Sequence, residues 1–311
     1  MKIYLAPLEG VTDNIYRNTF YRCYGGVDKM FTPFLSPNST KKFPLKEWEN
    51  IDPEINDTAL VVPQLLCCDS EHFLWAAEEI AGLGFKEINL NLGCPSGTVV
   101  AKKKGSGFLF YSDELDRFLY DIYEGADKLG IELSVKTRIG KVDESEWEEI
   151  LKTYNKYPIS ELTVHPRLTK DFYKGEIRMK SFEYAYENSR NPLVYNGDLN
   201  SVKDIRKIES EYPGCTAVML GRGLIAHPNL AREAAGKEKS PVSFREFHDE
   251  LFRQYENRLS GETPLLHRMK EMWTFWKEEL CDTPEKEKVL KSLMKAKRLG
   301  DYKAFMQQLM N

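Results

Sequence analysis

The sequence has little of what marks exported, membrane-spanning or metal-built proteins. Cysteine is scarce, six in 311 residues, and none of Cys23, Cys67, Cys68, Cys94, Cys215 and Cys281 forms a C-x-x-C pair. The five histidines are dispersed, so no ligand spacing for a structural zinc is present and no metal is expected. No apolar segment of secretory length follows Met1, so free thiols in a reducing, cytoplasmic setting are expected. No run is long and apolar enough to span a bilayer; the stretch 58–68 is broken by Pro63 and Gln64. The first apolar run leads into Ala6-Pro7-Leu8-Glu9-Gly10 and not into G-x-G-x-x-G, which counts against a dinucleotide-binding doubly wound sheet. Charge of one sign is not in excess either: the net charge of −4 argues weakly against a nucleic-acid partner.

What is present is the composition of an ordinary globular protein, 41% hydrophobic and 30% charged. Eight short β-type runs alternate with helical stretches: 3–6, 29–32, 60–65, 87–91, 133–137, 161–165, 192–196 and 217–221. Between them the apolar residues recur at helical spacing, as in Phe73, Leu74, Ala77, Ile80 and Ala81 after a cap expected at Ser70, and in Leu115, Phe118, Leu119, Ile122, Tyr123 and Ala126 after a cap expected at Ser112. Eight strand-helix units over about 235 residues predict a (β/α)8 TIM barrel. From Ser243 onward the β-type runs stop and helical stretches 244–259, 265–280 and 285–299 follow. The expected organisation is therefore an α/β barrel over 1–236, a linker over 237–242 and an all-α C-terminal domain over 243–311.

A barrel carries its active site at the C-terminal ends of its strands, and here those ends are polar. They read Gln64, Asn91 with Gly93-Cys94-Pro95, Lys136 with Arg138, His165 with Arg167, Asn196-Gly197-Asp198 and Gly221-Arg222-Gly223. The last two follow strands seven and eight, the usual phosphate cradle of the fold, where glycines let backbone N–H groups approach an anion and an arginine adds charge. A phosphorylated ligand is expected there, and Lys136 with His165 would suit the electron-rich edge of a reduced flavin. Cys94 lies in a Gly- and Pro-bounded turn instead of an apolar run, and no His or Asp beside it would activate a nucleophile. A thiol with an ordinary value of about 8.5 is mostly protonated near neutrality and can act as an acid.

Together, Ala6-Pro7-Leu8-Glu9-Gly10-Val11-Thr12-Asp13, Asn89-Leu90-Asn91-Leu92-Gly93-Cys94-Pro95, Val135-Lys136-Thr137-Arg138, His165-Pro166-Arg167, Asn196-Gly197-Asp198 and Met219-Leu220-Gly221-Arg222-Gly223 resemble, in order, the tRNA-dihydrouridine synthase family. The stretch from His267-Arg268-Met269-Lys270 onward resembles its bacterial C-type branch. The resemblance implies an FMN-binding barrel, a helical tRNA-binding domain, and reduction of tRNA uridines to 5,6-dihydrouridine with NADPH as electron source. It implies that Pro7, Leu8, Glu9 and Gln64 meet the flavin ring, as do Lys136 and His165, and that Asn196, Gly197, Asp198, Gly221 and Arg222 meet its ribityl and phosphate groups. Cys94 matches the acid that protonates C5 of uracil, with Asn91 facing the same base, and Arg138 and Arg167 are expected toward the substrate. The sequence departs from the family pattern at Val100 with Lys102-Lys103-Lys104, and at Pro166 where glycine is common.

An acidic chain can still hold tRNA locally. From Lys286 to Lys303 seven basic residues face two acidic ones, and Lys102, Lys103 and Lys104 stand near the thiol. Two such basic stretches, with Lys291, Lys295 and Arg298 in the second, suit phosphates on either side of an extruded base. Trp273, Phe275 and Trp276 are expected to be core. Two other functions fit parts of the pattern: a flavin oxidoreductase acting on a free pyrimidine or other small molecule, and a non-catalytic tRNA-binding protein. No membrane and no stable protein partner are implied.

Overall fold

The computed structural model describes residues 1–310. They form two compact units: one of residues 1–9, 27–199 and 203–221, and one of residues 10–26, 200–202 and 222–311. The boundary expected at 236–243 thus falls within the second unit, which also takes in the helix Asn14–Cys23.

The first unit is a parallel barrel. Its strands are β1 (Lys2–Leu5), β2 (Lys29–Phe31), β3 (Val61–Val62), β4 (Gln64–Leu65), β5 (Glu87–Leu92), β6 (Glu132–Arg138), β7 (Leu162–His165), β8 (Leu193–Tyr195) and β9 (Ala217–Leu220). They pair in the order β3-β2-β1-β9-β8-β7-β6-β5-β4. β3 and β4 are two halves of one extended segment, the third run read from the sequence, parted by Pro63. Proline cannot donate to the ladder, so pairing with β2 stops at Val62. The Gln64 N–H instead donates to Thr32 Oγ1 at 2.9 Å. The Pro63 carbonyl still accepts from Asn89 N–H on the other side, and a bridge between Leu35 and Leu65 closes the ring. Eight strand positions result, a TIM barrel.

Register decides what fills the interior, because laterally paired residues of parallel strands share a face. Gln64 pairs with Asn89, Asn89 with Ser134, Asn91 with Lys136 and Arg138 with His165. One side of the interior is apolar, with Tyr4, Ala6, Phe31, Val62, Val194, Ala217 and Met219 buried together. Toward the N-terminal end of the strands, charge is buried but paired: Tyr4 donates to Glu161 at 2.6 Å, and Lys29 donates to Glu87 at 2.6 Å and to Glu161 at 2.8 Å. Removing one member would strand the others without water, so this layer reads as stability and leaves chemistry to the opposite end.

Outside the sheet, helix Ser70–Gly82 begins one residue after its cap. Asp69, not Ser70, accepts from the His72 N–H, because the carboxylate reaches the orphan donors of the first turn. Helix Ser112–Leu129 takes Ser112 into its first turn, with Tyr111 at the cap position and no side chain accepting there. Of the predicted stripe it buries Leu115, Phe118, Leu119, Ile122 and Ala126, while Tyr123 is half-buried.

The second unit is helical. Ser243 and Glu246 make a reciprocal capping box at the start of helix Phe244–Arg258. Helices Glu262–Leu280, Pro284–Lys295 and Leu299–Leu309 follow, so the stretch predicted over 285–299 ends as a helix at Lys295 and a further helix lies beyond it. Trp273 and Trp276 are fully buried, as expected of core, while Phe275 is only half-buried. Asp13 ties the first helix in: it caps Tyr16 N–H at 3.0 Å, accepts from Tyr255 Oη at 2.7 Å and pairs with Arg268 at 3.3 Å. Among the described residues no helix is long and apolar enough to cross a membrane.

Candidate active site

The most organised feature at the C-terminal ends of the strands is the turn carrying Cys94. Asn91, at the end of β5, accepts from the backbone N–H of Gly93 at 3.0 Å and of Cys94 at 2.9 Å through its Oδ1. Its own amide donates to Gln64 Oε1 at 2.7 Å. Gln64 donates to Asn89 Oδ1 at 2.7 Å, and Asn89 to Ser134 Oγ at 2.9 Å. This relay of buried amides fixes the rotamer of Asn91 from below, since every member is satisfied by the next. Asn91, expected to face the base, therefore serves first to set the turn, and Gln64, expected on a flavin ring, is its support.

Two further contacts hold the turn. Arg138 Nε donates to the Gly93 carbonyl at 2.9 Å, and Ser106 donates to the Cys94 carbonyl from both its N–H, at 3.1 Å, and its hydroxyl, at 2.8 Å. Gly105 lies against Cys94 so closely that a Cβ there would come within 2.9 Å of the Cys94 Cβ, and its φ of +56° is one that side chains resist. Neither Gly105 nor Ser106 was found from the sequence; the Gly105-Ser106-Gly107 spacing after the lysine run was the available signal. The Cys94 thiol is half-buried, and burial pushes it above its ordinary value, against weaker opposing pulls from the Ser96 N–H, Arg138 and Lys136. It is accordingly a protonated thiol at neutral pH.

Lys136 shares the interior face with Asn91. Burial, with Arg138 adding like-charge repulsion, lowers its ammonium to about 7. Among the described residues it makes no hydrogen bond or ion pair. A half-buried lysine without a carboxylate is costly to the protein alone, and the arrangement suits an electron-rich ligand edge.

The two arginines expected on substrate are otherwise engaged. Arg138 also donates to the carbonyls of Leu168 at 2.8 Å and Phe172 at 2.6 Å. Arg167, buried, grips Asp198 with both terminal nitrogens, at 2.9 and 2.5 Å, and the Gly175 carbonyl at 2.6 Å from Nε. Its Nη1 lies 3.3 Å from His165 Nε2. Both guanidiniums hold loops in place, a role sequence position could not separate from substrate contact. Asn196 donates to the Met219 carbonyl at 2.8 Å, locking β8 to β9. At Gly197 a Cβ would stand 2.8 Å from Ile177 Cδ1, the movable end of that side chain. Pro7 and Leu8 are half-buried; Glu9 is exposed and pairs with Lys46 at 3.2 Å. Gly221 ends the barrel unit, and Arg222 begins the helix Arg222–Ala226.

Of the lysine run, Lys103 is bound to Glu114 at 2.9 Å and lies 4.1 Å from the Tyr111 ring centroid, Lys102 is exposed, and Lys104 half-buried. In the helical unit Lys291, Lys295 and Arg298 are all exposed, and among the described residues none of the three makes an ion pair.

Solved structures similar to this chain include the old yellow enzyme from Trypanosoma cruzi (TM-score 0.52, 10% identity, 84% of this chain and 95% of that one) and morphinone reductase in complex with tetrahydroNAD (TM-score 0.51, 10% identity, 79% and 90%). At that identity they speak to the barrel fold alone. Sequence relatives are nearer. A probable tRNA-dihydrouridine synthase of Staphylococcus aureus is 30% identical over 265 residues, 81% of this chain and 77% of the relative. A tRNA-dihydrouridine(16) synthase of Pseudomonas putida is 30% identical over 273 residues, 84% and 83%. The family model described as Dihydrouridine synthase (Dus) matches residues 4–308, and on a match that runs through both units the chain belongs to the dihydrouridine synthase family.

Proposed function

We propose that this chain reduces uridine in tRNA to 5,6-dihydrouridine, with FMN held at the C-terminal end of the barrel, NADPH as the electron source and Cys94 as the proton donor. The observation that carries the reading is the Cys94 turn: a thiol kept protonated by burial and fixed through Asn91, Arg138 and Ser106, in a family whose relatives are named for this reaction.

The residues present fit a flavin. Lys136 offers an unpaired cation to its N1/O2 edge, His165 shares the rim, and Gly197, lacking a side chain, suits the close approach of a phosphate to the backbone. Pro7, Leu8 and Glu9 follow β1 on the same unit, and Asp198 orders the loop after β8 through Arg167. Gly221, with Arg222 next in the chain, is assigned to the phosphate as well. When bound, FMN supplies hydride from N5 to uracil C6. Cys94 gives its proton to C5 and recovers one from water, and the Asn91 relay keeps the thiol from drifting during that transfer. Lys291, Lys295 and Arg298, on the helical tail, are proposed to meet tRNA phosphates, as is Lys102 on the barrel. The cytoplasm, where tRNA and NADPH meet, is the proposed setting of the reaction.

The test is turnover. Purified protein loaded with FMN, given NADPH and an unmodified tRNA transcript, should form dihydrouridine, and position 16, for which the Pseudomonas putida relative is named, is the first to map. Reduction of free UMP but not of tRNA would favour a small-molecule oxidoreductase instead. Binding of tRNA with no reduction by the flavin-loaded protein would leave only a binding role.

A further inference from the structure

Three large aromatic side chains that the fold could have buried lie open on the loops after β5, β6 and β7: Phe110 is 59% exposed, Phe172 51% and Tyr173 54%. Single exposed aromatics need no explanation. These are different, because the loops that carry them are joined and cations accompany them. Lys141 Nζ lies 4.6 Å from the Phe110 ring centroid and Arg138 Cζ lies 5.5 Å from that of Tyr173. The backbones of the second and third loops are zipped by Thr169 N–H to the Gly140 carbonyl at 3.0 Å and Lys170 N–H to the Lys141 carbonyl at 3.3 Å.

Phe172 is held in a conformation that aromatic residues avoid, with φ +50°. The strain is imposed by its surroundings: Arg138 takes its carbonyl, and Asp171 beside it is clasped by Arg178. Such strain persists only where neighbours over-determine it, and it clusters at functional sites. The same Arg138 guanidinium holds the Gly93 carbonyl next to Cys94, so the turn bearing the thiol and the segment bearing Phe172 and Tyr173 are pinned by one side chain.

The electrostatics favour an anionic occupant. The nearby carboxylates are already engaged: Glu144 and Asp171 on Arg178, Glu146 on the N–H groups of Lys141, Val142 and Asp143, and Asp143 on the Ser145 N–H, with Lys170 close enough to both Asp143 and Asp171 to be felt by them. Lys141 and Lys170 form no ion pair among the described residues. Exposed rings beside lysines that form no ion pair are what unstacked nucleotides need, a π-face for the base and positive charge for the backbone.

Resting on the proposed reaction, we infer that Phe172, Tyr173 and Phe110 with Lys141 and Lys170 form a stacking platform for single-stranded nucleotides flanking the reacting uridine. A uridine must leave its stack to reach the thiol, and the platform re-stacks a neighbour it abandons. Because Arg138 pins platform and thiol together, the length of RNA between stacked base and reduced base is fixed by the protein.

Phe172→Gly is the decisive variant, since it removes the ring while relieving the positive-φ strain and so does not threaten folding. The probe is a hexauridylate carrying 2-aminopurine at one internal position, whose fluorescence reports stacking. Wild type should quench it on binding. Phe172→Gly should bind about 5–100-fold more weakly, as expected for loss of a base–aromatic stack, with the quench reduced; Phe172→Tyr should restore both. Lys141→Gln with Lys170→Gln should lower the salt dependence of binding. Wild-type dihydrouridine formation in the same preparation tests the underlying reaction separately. If wild type reduces tRNA while Phe172→Gly binds and quenches the probe unchanged, the platform is refuted and the exposed rings are left for another kind of partner.

Discussion

Gly105 backs directly onto Cys94, so that the Cβ of any other residue at 105 would fall 2.9 Å from both the Cβ and the carbonyl oxygen of the cysteine. Gly105→Ala must therefore push the turn, against a φ of +56° that alanine itself disfavours. The expected cost is about 2–4 kcal/mol in urea denaturation, with turnover per bound flavin falling at the same time. Unchanged turnover at reduced stability would mean that the position of the turn is not tied to the chemistry.

Lys136 offers a sharper separation of stability from function. Its ammonium is half-buried without a carboxylate and lowered to about 7 from an ordinary 10.5. The unfolded chain thus holds that proton more tightly, and apoprotein stability should rise with pH between about 7 and 10.5. Lys136→Met, close in shape, should remove that rise and leave the apoprotein at least as stable at pH 7. Flavin retention should drop about 10–100-fold, the worth of one charge-assisted contact. Flavin titration of apoprotein at two pH values checks both, and a variant that holds flavin like wild type would place the flavin edge elsewhere.

In the helical unit, Trp273 Nε1–H donates to Tyr302 Oη at 2.9 Å, so the Tyr302 hydroxyl donates to His248 Nε2 at 2.8 Å and the His248 Nδ1–H to Asp249 at 3.0 Å. Burial, aided by Arg245, lowers this histidine below 6.5 despite Asp249. Below pH 6.5 the unfolded chain gains the proton first, so stability is whole above that value and declines as pH falls. Urea midpoints from pH 7.5 to 5.0 should drop more steeply for wild type than for His248→Phe. Parallel curves would show that His248 does not govern the acid limb.

The sequence pattern made the barrel legible because strand runs and helix stripes are local, and the Cys94 turn because glycine and proline mark it. What it could not show were partners distant in the chain. Arg138 and Arg167 sit at strand ends where a substrate contact is the natural expectation, yet they bind loop groups of the chain itself, Gly93, Leu168 and Phe172 for the first, Gly175 and Asp198 for the second. Pro63 sat inside a predicted strand, but the rescue of the next N–H by Thr32 depends on a residue 32 positions away. Helix Asn14–Cys23 lies within the stretch 1–236 expected to be barrel, yet Asp13, through Tyr255 and Arg268, fastens it to helices more than 200 residues later.

The central claim is that Cys94 delivers the proton to uracil C5. Cys94→Ala should bind tRNA and be reduced by NADPH as wild type does. In single-turnover oxidation of the reduced enzyme by unmodified tRNA, it should form dihydrouridine about 10²–10⁴-fold more slowly, the usual contribution of a positioned general acid. Equal single-turnover rates per flavin in Cys94→Ala and wild type would contradict the account.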